Sequence, residues 1–584
     1  MKVTKISVLF LSLFAILSCE KKATRGDADF SQFTQTFVED LWKQYPGWAT
    51  SVGYHKYDSI LVIPDENTRQ NEISFATRYL DSLKSFQFDS LSAIHKTEFL
   101  LIKNQLEGVS FYSKEFKSYE WDASGYNFGG TLFEITQNKE TSKAQIINNL
   151  NRYLANVPKY YEVAKANLKN PTKEHTELAI SQLAGTIDML RNGEIAKLYK
   201  EEKADTTPLV NASKSIEGFI AHLTQIKSEM DAGKIKPKDF RIGKDLFAKK
   251  FDLEIASSYN AEQMYQNALN RKQSLTAEMH TIATRLWTKY LPNTPIEKDS
   301  LLLIKKVIDK VALQHCAREK FQSEIEREIP ILTNFVNEKN LVTMDPTKPL
   351  VVRKEPEWMA GVAGASISSP GPYDKNGNTY YNVGSLAKYT PEAAESYLRE
   401  YNNFTLQILN IHEAIPGHYV QLIHANKSPS LIQTLMQNGA FVEGWALYAE
   451  RFMMEEGWDK NTSINPKEMS DEMWLMYYKF HLRGVCNTIL DYSIHSLNMS
   501  KENALNLMMN EAFQEKSEAE GKWKRATLTQ VQLCSYFTGF YEIYNFRKEV
   551  KEKMGDKFNL KEFNDKLLSF GAPPMKYIKE MFGK

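Results

Sequence analysis

The feature that most constrains the fold of this chain is a series of long segments whose apolar residues recur at helical spacing. Glycine and proline, which interrupt helices, are sparse, with 27 glycines and 20 prolines in 584 residues. Hydrophobic residues make up 42% of the chain, enough for a large core. The pattern therefore predicts a mainly α fold. Its clearest helical segments are Thr141 to Ala166, Thr176 to Tyr199, Ala261 to Leu291 and Leu301 to Asn337.

One stretch, residues 350–386, departs from the helical pattern. Glycine, proline and serine punctuate short β-branched or aromatic runs there, which predicts a small β-sheet or hairpin. Such a sheet could hold an extended substrate, although a surface hairpin without a ligand fits the same residues. We divide the chain into an N-terminal helical region, residues 30–340, and a C-terminal helical region, residues 341–584.

The first residues have the form of a bacterial lipoprotein signal. Lys2 and Lys5 precede an apolar run that is too short to span a bilayer and that ends at Cys19. We expect residues 1–18 to be a signal peptide, Cys19 to be lipidated, and residues 19–29 to form a flexible spacer. The expected location is the cell envelope, on the periplasmic or cell-surface face of a membrane. An ordinary signal with an incidental cysteine is the alternative.

Charge and cysteine content exclude other classes. The formal net charge is +1, and no Lys/Arg run is interleaved with aromatic residues, so we expect no nucleic-acid partner. The remaining cysteines are far apart and lack the spacing of a metal site, so we expect buried small hydrophobic residues, although two of them could form a disulfide. These cysteines are Cys316, Cys486 and Cys534.

The residues that carry chemistry lie in Asn410-Ile-His-Glu-Ala-Ile-Pro-Gly-His-Tyr419 and in Phe441-Val-Glu-Gly-Trp-Ala-Leu-Tyr-Ala-Glu450. Two histidines and a carboxylate on a neighbouring helix are the ligand types of a catalytic zinc site. An antiparallel return helix, Leu431 to Glu455, would place Glu443 opposite the histidines as the third ligand. Glu413, next to the first histidine, is the expected general base.

The spacing of the two histidines is unusual. Zincin helices place them four residues apart, whereas His412 and His418 are six apart and would face different directions on a regular helix. Pro416 lacks the N–H that would bond the carbonyl of His412, and Gly417 adds flexibility. We therefore expect a distorted, locally widened turn that lets both histidines bind Zn²⁺. The alternative is a plain helix break with two unrelated histidines.

Two further residues lie near these ligands in the sequence. Glu450 shares a helical face with Glu443 and is expected to orient a ligand histidine, although a structural or solvated glutamate fits equally well. His424 repeats the six-residue spacing but lies past the opened turn, so it is a weak candidate for a ligand.

Downstream residues are candidates for contact with the substrate. Asp491 and His495 lie at i and i+4 of a helix, which suggests substrate binding by Asp491 and oxyanion stabilisation by His495. Arg483 could bind a terminal carboxylate through a bidentate contact. Tyr536, near the flexible Gly539, is a second candidate for an oxyanion donor. Each of these residues could instead make a structural ion pair or a core contact.

The motifs resemble those of the bacterial family catalogued as domain of unknown function 885, whose members carry His-Glu-Ala-x-Pro-Gly-His and then Val-Glu-Gly-Trp-Ala-Leu-Tyr-Ala-Glu. The resemblance begins at Pro46-Gly-Trp-Ala-Thr-Ser-Val-Gly-Tyr-His-Lys-Tyr-Asp58 and covers nearly the whole chain. It implies a large two-lobed helical fold similar to the helical zinc peptidases whose third ligand is glutamate. The chain departs from many relatives at Tyr419, where they carry a second histidine. The implied ligands and base are His412, His418, Glu443 and Glu413.

The sequence thus predicts a zinc-dependent hydrolase, most simply a metallopeptidase that cleaves short peptides or isopeptides. A zinc amidase acting on cell-wall peptides would share every predicted ligand. The alternative from another class is a non-catalytic helical lipoprotein that binds its substrate on exposed tryptophan or tyrosine side chains. Five of the eleven histidines fall between His412 and His495, which favours a site in that part of the chain.

Overall fold

The computed structural model describes residues 26–355, 365–374, 377–465 and 467–583. The predicted mainly α fold is confirmed, with 25 α-helices and one small sheet among these residues.

The first helices are α1 (Asp27–Gln44), α2 (Pro46–Ser51), α3 (Glu66–Leu83), α4 (Ala93–Phe111), α5 (Gly129–Thr136), α6 (Lys143–Leu154), α7 (Val157–Asn167), α8 (Lys173–Arg191), α9 (Glu194–Glu201) and α10 (Thr207–Asp231). The next elements are α11 (Lys244–Glu254), α12 (Ala261–Tyr290), α13 (Ser300–Val311), α14 (Phe321–Glu338), β1 (Leu350–Lys354), β2 (Ala365–Ser368), β3 (Thr379–Val383), α15 (Pro391–Glu400), α16 (Asn403–Glu413) and α17 (His418–Asn426). The last are α18 (Leu431–Leu435), α19 (Gly439–Glu455), α20 (Ser470–Leu497), α21 (Lys501–Asn506), α22 (Lys516–Leu528), α23 (Cys534–Met554), α24 (Leu560–Ser569) and α25 (Met575–Met581).

The hydrophobic cores divide the chain differently from the predicted boundary near residue 340. The largest core joins side chains of α11–α14, such as Met279 and Phe335, with side chains of α16–α25, such as Trp445 and Ile578. A second core lies mainly within α5–α10, and a third joins α1–α4 with α18 and α25. The helices before residue 340 therefore do not form a unit of their own, because α12 packs along α20 in the site-bearing half.

The sheet predicted within residues 350–386 is confirmed. Its strand order is β1-β3-β2, with β1 parallel and β2 antiparallel to the central β3. The Tyr381 hydroxyl of β3 donates to Asn410 Oδ1 at 2.8 Å, and Asn410 Nδ2 donates to Glu328 Oε2 of α14 at 2.7 Å. These buried bonds hold the sheet against α16, two residues before His412.

The helices that carry the site residues are interrupted, in one case where the sequence predicted a continuous helix. A break at Tyr401 and Asn402 separates α15 from α16, because the Asn402 side chain caps α16 by accepting from Phe404 N at 3.1 Å. The predicted return helix, residues 431–455, is two helices, α18 and α19. Asn438 is the N-cap of α19, because its Oδ1 accepts a hydrogen bond from Phe441 N at 3.0 Å.

The expected signal peptide and lipidation at Cys19 lie outside the described residues. The last three residues of the expected spacer, residues 19–29, belong to the fold, because α1 begins at Asp27. The carboxylate of Asp27 accepts from Ser92 N at 2.9 Å and pairs with His95 Nδ1 at 2.7 Å, which fixes it to the start of α4. Among the described residues, we found no helix with both the length and the apolar character needed to cross a bilayer.

Helices α19 and α23 cross with their backbones in direct contact. A β-carbon on Gly539 would lie 1.7 Å from the carbonyl oxygen of Ala440, and one on Gly444 would lie 2.3 Å from the carbonyl carbon of Gly539. No side chain fits at either position without moving the helices apart. The crossing therefore determines how close Glu443 lies to α23.

Replacing Gly539 tests this crossing. We expect Gly539→Ala to lower the free energy of unfolding by about 1–3 kcal/mol or more, because its β-carbon must displace backbone atoms. The measurement is the urea midpoint followed by circular dichroism. The matched control is Gly521→Ala in α22, where a β-carbon meets no atom within 4 Å and alanine should stabilise the helix by up to about 1 kcal/mol. Equal midpoints for the two variants would contradict the close crossing.

Candidate metal centre

A break that contains Pro416 separates α16 from α17. Helix α16 ends at Glu413, and α17 begins at His418. The Gly417 N–H donates to the carbonyl oxygen of Ile411 at 2.9 Å. This bond joins residues six apart in the sequence, whereas the bonds of a regular α-helix join residues four apart. The predicted distortion between the two histidines is present, although the helix is interrupted rather than widened.

Gly417 is the residue that makes this break possible. A β-carbon at Gly417 would lie 1.8 Å from the carbonyl oxygen of His412, so no other residue fits without rearrangement. Trp445 supports the break from the opposite side, because its indole N–H donates to the carbonyl oxygen of Pro416 at 2.9 Å. Since Trp445 lies two residues after Glu443 on α19, the same contact brings Glu443 to the break.

The break brings His412, His418 and Glu443 together. The Nε2 atoms of His412 and His418 lie 3.6 and 3.5 Å from Glu443 Oε2. One ligand atom from each of the three residues lies within 4.8 Å of the others. Ligand atoms bound about 2.0–2.1 Å from a tetrahedral ion lie roughly 3.3 Å apart, close to the two separations at Glu443. The three residues could therefore hold a metal ion.

One atom of this cluster supports such an ion directly. Glu443 Oε2 is buried and has no hydrogen-bond partner among the described residues. Buried carboxylate oxygens are rarely left without a partner, because their desolvation is costly. An ion between this oxygen and the Nε2 atoms of His412 and His418 would satisfy it.

Glu450 orients one of the histidines. Its Oε1 lies 2.7 Å from His412 Nδ1, and its side chain is completely buried. The contact directs His412 Nε2 toward Glu443, as the sequence predicted for Glu450. Burial disfavours the imidazolium, but the carboxylates of Glu443 and Glu450 outweigh it and raise the pKa of His412 to about 10. The cluster therefore favours a positive charge at this place.

The pKa values of two carboxyl groups in the cluster, Glu443 and Glu413, are shifted in opposite directions. Burial opposes ionisation of Glu443, but its contacts with His412 and His418 hold its pKa well below the ordinary value. Burial raises the pKa of Glu413, and the charges of the two histidines offset this only in part. Glu443 is thus suited to act as an ionised ligand, whereas Glu413 is suited to accept and release a proton.

Arg483 and Tyr536 border the cluster. The ring of Phe480 lies 6.1 Å from the ring of His412 and 4.9 Å from the Arg483 guanidinium, so Arg483 is close to the first histidine. Tyr536 lies one turn before the α19–α23 crossing at Gly539. Burial, followed by the charge of Glu443, raises the pKa of Tyr536, which keeps its hydroxyl protonated.

Asp491 and His495 lie elsewhere, contrary to their expected roles at the substrate. They follow Phe480 on α20 by 11 and 15 residues, or roughly 17 and 22 Å along the helix. Asp491 accepts from two backbone N–H groups of the α22–α23 connection at 3.2 and 3.0 Å. His495 Nε2 donates to the carbonyl oxygen of Ala526 at 2.9 Å. Both side chains are completely buried. We therefore correct these assignments, because both side chains hold the end of α22 and the connection to α23 in place.

The other residues considered from the sequence also lie outside the cluster. The Tyr419 hydroxyl donates to the backbone carbonyl oxygen of Lys348. His424 Nε2 donates to the backbone carbonyl oxygen of Thr343 at 2.8 Å. The three described cysteines are free thiols, with Cys486 and Cys534 buried and Cys316 half-buried.

The sequence interpretation missed three charged residues of α22 that lie near Arg483. Glu518, Lys522 and Arg525 are spaced at i, i+4 and i+7 and share one face of the helix. In a sequence, this pattern is the same as that of a solvated helix face, and only the packing of α22 beside α20 distinguishes the two.

Comparison with known proteins gives a family and a fold. Residues 46–581 match the family model described as bacterial protein of unknown function (DUF885). A structure of a candidate lipoprotein of unknown function from Shewanella oneidensis is 45% identical in sequence, with 95% of this chain and 100% of that chain covered and a TM-score of 0.83. A candidate lipoprotein from Colwellia psychrerythraea is 16% identical, with 95% and 98% covered and a TM-score of 0.75, and it shares the fold. No curated protein matches the chain.

Gly417→Ala tests the geometry of the break. We expect the added methyl group to push the carbonyl of His412 away and to separate the two histidines, so the variant should lose its binding of Co²⁺, measured by visible absorption. Gly185→Ala in α8 is the control, because a β-carbon there meets no atom within 4 Å. Unchanged Co²⁺ spectra in a folded Gly417→Ala variant would show that the close approach to His412 is unnecessary.

Proposed function

We propose that this chain, which belongs to the DUF885 family of bacterial proteins of unknown function, is a zinc-dependent hydrolase of the metallopeptidase type. The observation that carries the proposal is the convergence of His412, His418 and Glu443, whose buried Oε2 has no hydrogen-bond partner within the described part of the chain. Two histidines and one glutamate are the donor set of catalytic zinc sites that keep a position open for water. The support of His412 by Glu450 is typical of such sites.

Zinc at this site would lower the pKa of water and polarise the carbonyl group of the substrate. Glu413 takes the proton from the attacking water and returns it to the leaving amine. The protonated Tyr536 hydroxyl is the oxyanion donor that the geometry favours, since His495 is remote.

Peptides are the substrates that the surroundings of the centre favour. Among the described strands, β2 lies at an edge of the sheet, and it contacts α16, the helix that ends in His412 and Glu413. An extended peptide can add to such an edge through main-chain hydrogen bonds, which bind any sequence. The sheet therefore offers a way to hold a peptide beside the proposed metal site.

The alternative of a non-catalytic binding lipoprotein has less support. That function needs exposed aromatic platforms, and in the described part of the chain no tryptophan is exposed and a single tyrosine, Tyr389, is. The least buried of these tryptophans, Trp48, Trp474 and Trp523, are half-buried. Only Trp358 falls outside the described residues.

We also propose that the mature protein is attached to a membrane through lipid on Cys19. The similar proteins from Shewanella oneidensis and Colwellia psychrerythraea are candidate lipoproteins, which supports this assignment. Helix α1 begins eight residues after Cys19, so the chain can extend by at most about 28 Å before the fold begins. The enzyme would then act within the cell envelope and close to the membrane surface.

Metal analysis tests the ligand set. We expect the wild-type protein to retain about one zinc ion per chain after dialysis, and Glu443→Ala to lose it, because three protein ligands hold the ion. Glu450→Gln should weaken zinc affinity about 10–100-fold, measured by competition with a chelator. Glu392→Gln, an exposed glutamate on α15, is the control. A wild-type protein that takes up no zinc would overturn the proposal.

Activity measurements test the base. Glu413→Gln should retain zinc but hydrolyse a mixed pool of short peptides about 10²–10⁴-fold more slowly than the wild type, because the amide cannot accept a proton. Mass spectrometry of the pool before and after incubation gives the rate and the cleaved bonds. Wild-type activity in Glu413→Gln would exclude the proposed general base.

A further inference from the structure

Three cationic side chains lie together between α20 and α22, on the border of the proposed metal centre. They are Arg483, Lys522 and Arg525. We propose that they form a subsite for a carboxylate of the substrate, so that the preferred substrates are peptides with a free carboxylate close to the cleaved bond. This inference rests on the proposed function and names its substrate class.

The first observation is that two of the cations share one carboxylate. Glu518 Oε1 lies 3.4 Å from Arg483 Nη1 and 3.6 Å from Lys522 Nζ. Both separations are longer than the 2.7–2.9 Å of a strong charge-assisted hydrogen bond. Glu518 therefore balances one of the two charges, and Arg483 Nη1 also donates to the neutral Tyr401 hydroxyl at 3.1 Å.

The second observation concerns Arg525, whose partners are neutral. Its Nη2 donates to Gln532 Oε1 at 2.8 Å and to the Tyr536 hydroxyl at 3.1 Å. Among the described residues, no carboxylate lies within ion-pair distance of Arg525. With Lys522 protonated, the three cations and Glu518 thus carry two positive charges in excess, and with Lys522 neutral they carry one.

Neighbouring carboxylates do not remove this excess, because they are bound elsewhere. Glu400 Oε2 accepts from Lys479 Nζ at 2.8 Å, and Glu515 Oε1 accepts from Arg399 Nε at 3.2 Å. Each of these pairs is balanced without help from the subsite. The charge of Glu443 also acts on Lys522 and Arg525, but its Oε2 faces the two histidines at 3.6 and 3.5 Å.

Burial makes the excess positive charge costly, and this cost favours the binding of an anion. The side chain of Lys522 is only 6% exposed. Burial, followed by repulsion from Arg483, lowers the pKa of Lys522 to about 7, in agreement with an environment short of negative charge. A buried, unbalanced cation destabilises a protein unless an anion binds beside it. A ligand carboxylate would supply that anion.

The subsite lies close enough to the metal centre to act on the same substrate. Arg525 contacts Tyr536, the proposed oxyanion donor, and Arg483 contacts Phe480, which packs against His412. A carboxylate bound between these arginines would orient the adjacent peptide bond toward the metal ligands. Hydrolysis consumes one water and releases one amine and one carboxylate, and the subsite cations take no part in that proton balance.

The carboxylate could belong to the chain end or to an aspartate or glutamate side chain, and binding measurements separate these sources. We would titrate zinc-loaded Glu413→Gln with N-acetyl-dialanine and with its C-terminal amide in a calorimeter. A second pair of blocked peptide amides carries aspartate or asparagine. We expect at least tenfold tighter binding of the acid in one pair, which identifies the source. Equal binding within both pairs would overturn the proposal.

Variants show whether the subsite is responsible for the preference. Arg525→Gln should reduce the ratio of acid to amide affinity at least tenfold, whereas Lys524→Gln, an exposed lysine on the same helix, should leave the ratio at the wild-type value. Arg483→Met is a second variant, and circular dichroism checks that each variant is folded. A folded Arg525→Gln that keeps the full ratio would also overturn the subsite.

Two results distinguish failure of the subsite from failure of the proposed function. If the zinc-loaded wild type hydrolyses acid and amide peptides at equal rates, the subsite is wrong and the hydrolase stands. If the protein binds no zinc, but the metal-free form binds the acid more tightly than the amide and loses this preference in Arg525→Gln, the subsite stands without the hydrolase. The metal-free measurement also excludes binding of the carboxylate by zinc itself.

Discussion

The arrangement of the site depends on how closely α19 approaches α23. Because Gly444 and Gly539 carry no side chains, the two helices meet backbone to backbone. Helix α19 supplies Glu443 to the metal centre, and Trp445 of the same helix holds the break between the histidines. A shift of α19 by the thickness of one methyl group would therefore move a ligand and the support of the other two ligands at once.

Charge separates the site into two parts of opposite sign. The three glutamates Glu413, Glu443 and Glu450 surround the histidines, and they favour a cation there. On the α20 and α22 side, positive charge is in excess, and it favours an anion. A metal ion and a substrate carboxylate would thus each bind where the protein leaves a charge uncompensated. Side by side, the two parts would also fix the direction in which a peptide binds.

The sequence predicted the helical class, the small sheet and the grouping of His412, His418 and Glu443, because these follow from local rules. A proline that removes a specific hydrogen bond, and residues seven apart on one helix face, have the same meaning in most folds. Contacts between residues far apart in the sequence could not be predicted from such local rules. The i,i+4 pair of Asp491 and His495 is a local pattern too, but it does not say which neighbour the helix faces. The same ambiguity concealed the cations of α22 and the shared core of the two predicted regions.

An ion at the centre would also connect parts of the chain that are otherwise weakly joined. His412 ends α16, His418 begins α17, and Glu443 lies on α19. The break between the first two helices removes regular helical hydrogen bonds, and the bonds from Gly417 and Trp445 replace only some of them. Because a metal ion binds only when all three helices are in place, its binding free energy would add to the stability of this arrangement. The groups that suit the centre to chemistry would thus make part of its stability depend on a bound metal ion.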